Sequence, residues 1–326
     1  MTMIIAIPPL HRSDVFGTGH AKPAPVLTSV IPERGKGVWT VKRTILVILA
    51  VLLFLAAAGI TVYPLISNYI NDKYASVVRT DYIEEVRELD EASIEEAWSK
   101  AQAYNDSLSP LRYNKEAVQA ASEDYESLLN LAGSGIMGYC EIPKLSINLP
   151  IYHGTRESIL QKGVGHLTGS SLPIGGEGCH SVLTGHSGVA GKRLFSDLDQ
   201  LRAGDVFYLH ILNQVLAYRV MDINQVLPHE TELLGPVPGQ DLCTLVTCYP
   251  YGVNSHRLLV RGIRIPYAEA AEIEQEAEEN GTPVKSTWKA QYYTGLAIGG
   301  GAAIGAVLIG LIIALVRKKR RKLIEK

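Results

Sequence analysis

Charge of either sign is scarce in this chain of 326 residues. Its 31 Lys and Arg nearly balance 33 Asp and Glu, leaving a formal net charge of −2, and charged residues are 20% of the sequence. A general nucleic-acid binder needs a basic excess or stripe, so that class is excluded by the balance. Cysteine is scarcer still, four in the whole chain, too few for a disulfide scaffold at this length. The Cys and His positions lack zinc-site spacing, so no metal is implied. No internal repeat is visible. A hydrophobic content of 47% excludes a disordered chain and, with so little charge, implies that some apolar residues face lipid instead of a core.

Those residues fall in two runs. Ile45 to Tyr63 reads ILVILAVLLFLAAAGITVY, an uncharged stretch long enough to cross roughly 30 Å of hydrocarbon as a helix. Arg34, Lys36, Lys42 and Arg43 precede it, with Trp39 near the interface. A second run, Thr294 to Val316, follows Tyr292 and Tyr293 and ends in the basic run Arg317 to Lys322. Positive charge before the first span and after the second places both termini in the cytoplasm and the intervening chain outside. The first run exceeds the 7–15 apolar residues of a cleaved signal and reads as a retained anchor, although Ala56-Ala57-Ala58-Gly59 has the small residues of a cleavage site. The expected organisation is a disordered cytoplasmic tail (1–43), a membrane helix (44–66) and an extracellular helical stalk (67–134). A compact domain (135–267), a linker (268–291), a second membrane helix (292–316) and a basic cytoplasmic tail (317–326) follow.

In the stalk, Ile94, Ala97, Trp98, Ala101, Tyr104 and Leu108 recur at helical spacing, with Ser93 and Glu96 as a capping box. A second helix is expected from Asn114 to Leu131. From Gly138 onward the pattern changes to short apolar runs broken by Gly, Pro, Asn and Asp. Seven strands are expected: 138–142, 147–152, 179–183, 205–212, 215–226, 242–248 and 257–265, with one helical interruption at 195–201. Short strands with little helix between them indicate an antiparallel sandwich or a closed barrel.

The chemistry concentrates in TLVTCYPYGVNSHRLLVRG, residues 244–262. Cys248 ends a β-prone run and meets Pro250 and Gly252, which turn the chain, so the thiol sits at a strand end where it is partly exposed. Arg257 opens the next strand, and a short loop brings its guanidinium beside the sulfur. A cation there favours thiolate over thiol and can donate to an oxyanion. In VLTGHSG, residues 182–188, His186 lies just past another strand. An imidazole in that position can protonate a leaving amine and deprotonate an incoming one. Together Cys248, His186 and Arg257 make a coherent acyl-transfer site.

TLVTC with its following arginine, and TGH upstream, resemble the sortases, the membrane-bound cysteine transpeptidases of Gram-positive surfaces. The resemblance covers residues 136–265 and begins in GIMGYCEIPKLSINLPIYHG. The two-span layout with a basic tail resembles class C, the pilin-polymerising sortases. The resemblance implies an all-β fold, an eight-stranded barrel, behind the helical stalk and between the two membrane helices. It also implies Cys248 as nucleophile, His186 as general acid and base, and Arg257 as the group that orients substrate or stabilises the oxyanion. The implied reaction cleaves the Thr–Gly bond of an LPxTG-like sorting signal and passes the acyl group to a lysine amine of another pilin subunit, without a cofactor. Class C members carry a lid with an Asp-Pro-aromatic motif. This chain has none, and Ser109-Pro110-Leu111 is nearest in position, so the lid is expected to be altered or absent. The rival readings are a sortase that anchors single proteins to peptidoglycan and a non-catalytic membrane scaffold.

Thr247, within the signature, and His166, in GVGHLTG, are candidates to line the substrate groove; for His166 a structural role is the alternative, as it is for His153 and His180. Cys243 and Cys248 lie roughly 16 Å apart on one strand and cannot bridge, and Cys140 and Cys179 are expected as buried free thiols. His256 adjoins Arg257 but faces the other way. Arg261 could share the face of Arg257, which is preferred because it is nearer the turn.

Overall fold

A computed structural model describes residues 36–108, 124–131, 133–189, 191–280 and 293–301, with positions 305, 310 and 316. The chain divides into two compact units, residues 1–55 and 56–326. The described part of the first unit opens α1 (Lys36–Glu88). Between Ile48 and Leu55 its large apolar side chains are exposed, Phe54 to 72%, a state that water penalises and hydrocarbon does not. This is one described helix long and apolar enough to cross a membrane. The second expected span falls largely outside the described residues; its positions 293–301 are helical.

In the second unit, α1 runs on past Pro64 to Glu88, so the expected boundary between span and stalk at residue 66 is not a break in the helix. One face of this extension packs on the barrel. Ala75 and Tyr82 are buried, and the Tyr82 hydroxyl donates to the Met137 carbonyl (3.1 Å) while accepting the Leu212 N–H (2.7 Å). Next, α2 (Glu91–Leu108) buries Ala97, Ala101, Tyr104 and Leu108, the face its spacing predicts. Its cap differs from the expected capping box. Asp90, not Ser93, is the capping residue, accepting the Ser93 N–H at 2.6 Å. A carboxylate placed before the helix outcompetes a serine one turn in.

The expected helix from Asn114 to Leu131 lies partly outside the described residues, as does the tripeptide Ser109-Pro110-Leu111. Its described end is not helical. A single 3-10 turn, Tyr125–Ser127, is followed by Leu129 at φ 59°. Tertiary bonds hold the turn: the Leu128 carbonyl, a group a helix would use, accepts from His153 Nε2 (2.7 Å), and the side chain of Tyr125 is buried with its hydroxyl on His166 Nδ1 (2.8 Å) and on the Gly154 N–H (3.0 Å).

The eight strands are β1 (Ile136–Ile142), β2 (Ile147–His153), β3 (Val164–His166), β4 (His180–Thr184), β5 (Val206–Ile211), β6 (Gln214–Val226), β7 (Leu242–Tyr249) and β8 (His256–Ile265). They close a barrel in the order β1-β2-β3-β4-β7-β8-β6-β5. Of the two expected architectures, the barrel is therefore the one adopted. Pairs β2·β3 and β4·β7 are parallel and the others antiparallel. Seven strands match the apolar runs within two residues. The eighth, β3, has no matching apolar run, being three residues long with Gly165 at its centre. Gly165 has a packing reason to be there: a Cβ would stand 2.3 Å from the Gly154 carbonyl, so only glycine lets β3 lie this close to the end of β2. The short helix α3 (Glu157–Leu160) links β2 to β3, and the expected interruption at 195–201 shrinks to a 3-10 turn, Leu198–Gln200. Finally α4 (Tyr267–Asn280) packs on β5 and β6 through Ala270 and Ile273.

The barrel core includes a titratable group. His166 is fully buried, its Nε2–H donating to the Ser171 carbonyl (2.9 Å), which leaves Nδ1 to accept from Tyr125. Burial pushes its pKa down to about 4. The unfolded chain binds that proton near pH 6.5, so the native state is fully favoured above 6.5 and loses stability as pH falls toward 4. The loss from this group is about 3 kcal/mol across the window, and His153 and His180, lowered by burial too, act in the same direction. Denaturant midpoints of the detergent-solubilised protein should fall between pH 7 and 4.5, and fall less in His166→Gln. Equal slopes in the two proteins would refute this account.

Candidate active site

Strand register builds the site. In the parallel pair β4·β7, Thr184 lies beside Val246. His186 and Cys248 each follow two residues later, so both leave the same rim of the barrel at the same level. In the antiparallel pair β7·β8, Cys248 lies directly opposite Arg257. Opposed residues share a face with Cβ atoms about 5 Å apart. Because β4, β7 and β8 are consecutive around the barrel, the thiol stands between the imidazole side and the guanidinium side.

The loop carrying His186 is fastened to β7. The Gly185 N–H donates to the Val246 carbonyl (3.0 Å), and the Gly185 carbonyl accepts from the Thr247 hydroxyl (2.8 Å). The His186 carbonyl in turn accepts the Phe195 N–H at 3.0 Å. The His186 ring points its Nε2 at both carboxylate oxygens of Glu157, at 3.1 and 3.2 Å. Among the described residues no hydrogen bond joins it to Cys248. Arg257 is held along the β7–β8 turn, Nη1 donating to the carbonyls of His256 (3.0 Å) and Asn254 (3.3 Å), the latter residue at φ 60°. A cleft at the rim is lined by Ser187, Thr247, Cys248, Tyr249, Tyr251 and Leu258.

The four thiols differ sharply. All are free; Cys248 is half-buried and the others are buried. Burial pushes the thiols of Cys140, Cys243 and Cys179 upward, which makes them poor nucleophiles. Only the rim cysteine among the four is open to a reagent.

The two expected groove residues fare differently. Thr247 lines the cleft floor but spends its hydroxyl on the Gly185 carbonyl. His166 does not line the groove: it is fully buried, with both ring nitrogens bonded inside the barrel, and that expectation is corrected. His153 and His180 are structural, His180 between the Gly235 carbonyl (2.8 Å) and the Thr244 hydroxyl (2.7 Å). Arg261 is paired with Asp222 (Nε to Oδ1, 2.8 Å), which removes it as a rival to Arg257. Sequence reasoning missed Glu157. It lies 29 residues before His186 in an unremarkable acidic context, and no spacing signal connects the two.

The sortase domain family profile matches residues 140–265. Sortase A of Streptococcus agalactiae serotype III (strain NEM316) is 33% identical over 116 residues, 35% of this chain and 47% of that protein; the chain thus spans about half the length of this relative. Sortase C1 of Streptococcus agalactiae superposes with a TM-score of 0.54 at 44% identity, over 58% of this chain and 98% of that one. A sortase C of Clostridium perfringens, solved with the C-terminal cell wall sorting motif, gives 0.52 at 43% identity, over 59% and 100%. Identity at that level along nearly the whole of two solved sortases C cannot come from shared topology alone: the chain belongs to the sortase family and is most like its class C.

Proposed function

We propose that this chain is a membrane-anchored cysteine transpeptidase that cleaves an LPxTG-like sorting signal and joins it to a lysine of another pilin subunit. The observation that carries the reading is the half-buried thiol of Cys248, with Arg257 opposite it on β8 and His186 in the loop that follows the neighbouring β4. The class C character of its structural relatives supports the pilin acceptor, and the Clostridium perfringens protein held with a sorting motif supports the donor. Residues 44–66 and 292–316 anchor it in the plasma membrane, with both termini cytoplasmic and the barrel, residues 135–267, outside.

In the reaction, the Cys248 thiolate attacks the threonine carbonyl carbon. Negative charge moves to the carbonyl oxygen, where Arg257, whose fork carries five N–H donors, stabilises it. Collapse breaks the Thr–Gly bond as His186 gives its proton to the departing glycine nitrogen, leaving a thioester. A lysine amine then attacks the thioester, His186 takes up its proton, and the thiolate leaves with an isopeptide bond formed.

The test uses the full chain in detergent, an LPxTG peptide and a lysine-bearing pilin domain. Mass spectrometry should find an acyl adduct on Cys248 and then a lysine-linked product. An adduct that only water or a peptidoglycan-type amine resolves would replace the pilin reading with hydrolysis or wall anchoring, and failure to form any adduct would favour the scaffold.

A further inference from the structure

Outside the three residues above, the most developed polar arrangement near the rim runs through α3. Lys192 Nζ donates to the Gln161 side-chain oxygen (2.9 Å) and to its backbone carbonyl (2.7 Å). The Gln161 amide then donates to Glu157 Oε1, and Glu157 receives His186 Nε2 on both oxygens. Four side chains from α3, its C-terminal flank and the loop after β4 thus end in one contact, on one nitrogen of one imidazole. The Gln161 amide, and then the charges of His186 and Lys192, hold the Glu157 carboxyl below its ordinary range, which favours its ionised form.

We infer that Glu157 is the positioning residue for His186, accepting the Nε2 proton so that Nδ1 is the atom exchanging protons with the substrate. The inference rests on His186 being the acid and base of the proposed reaction. A carboxylate on the remote nitrogen fixes which tautomer is present and steadies the imidazolium. Two charged groups bear on this contact: Glu157, which meets the ring directly, and Lys192, whose charge acts on Glu157, while Cys248 and Arg257 lie opposite one another on the neighbouring strands. Of these, Glu157 alone holds the imidazolium by direct contact. Its side chain is 69% exposed against 21% for His186, so its influence is modest and open to salt.

The test is the pH dependence of kcat/KM for the full chain in detergent, comparing wild type with Glu157→Gln, Glu157→Asp and His186→Ala. In Glu157→Gln the limb on which activity falls as His186 loses its proton should move to lower pH by about half a unit, or about threefold in rate on that side, with KM unchanged. Raising NaCl to about 1 M should move the wild-type limb toward the variant's, and Glu157→Asp should restore most of the shift. A Glu157→Gln profile that superimposes on wild type, or one lowered equally at every pH, overturns the inference while an inactive His186→Ala keeps the reaction reading intact. An active His186→Ala overturns the reaction reading itself.

Discussion

Replacing Cys248 by alanine should abolish turnover, a loss of at least about 10⁴-fold, while shifting stability by less than about 1 kcal/mol. The two halves of this expectation have separate origins. The reaction has no path to a thioester without the sulfur, and an imidazole and a guanidinium alone cannot form one. The fold has little stake in the thiol, because Cys248 is half-buried at a rim and the main hydrophobic core is built from other side chains. Alkylation checks both. Iodoacetamide should add one label to the folded wild type and none to Cys248→Ala, because Cys140 and Cys243 are fully buried and Cys179 nearly so. Residual turnover above about 1% in the alanine variant would remove Cys248 as the nucleophile, and a second label would show that a buried thiol is reachable.

What was legible beforehand follows from which forces act locally. Seven strands announced themselves because each is a β-prone run bounded by turn residues, and Cys248 with Arg257 could be paired because a short turn fixes the register between adjoining strands. The family signature did the rest for His186, which reaches the site through a parallel neighbour 62 residues away. Strand β3 is hidden because it is three residues long and its central Gly165 serves close packing against the end of β2, which leaves no apolar pattern. The described end of the helix expected to reach Leu131 is not helical, because His153 and His166, residues of other strands, bind Leu128 and Tyr125. His166 and Glu157 were misjudged or missed for the same reason. Whether a histidine is sealed in a barrel, or a glutamate faces the His186 ring, depends on contacts between segments far apart in the chain.

Within the loop that carries His186, the contact most sensitive to a single atom should be Gly185. A Cβ there would lie 2.7 Å from Phe195 Cδ2 and 2.9 Å from its Cγ, and Phe195 is fully buried, so the ring has little room to yield. Nor can the backbone retreat freely, since Gly185 is bonded to β7 through both its N–H and its carbonyl. Gly185→Ala should therefore cost about 1–3 kcal/mol by overpacking. It should also displace His186, the next residue, and a shift of about 1 Å in a catalytic group is enough to lower kcat/KM roughly 10²-fold. Cys248 sits on β7 itself, so its labelling should proceed as in wild type. Adding Phe195→Leu opens space beside the new methyl, and the double variant should lose less than the sum of the two single changes. A Gly185→Ala protein with wild-type rate and Tm would mean that the His186 loop has slack these bonds do not reveal, and the tie between Thr247, Gly185 and catalysis would fail with it.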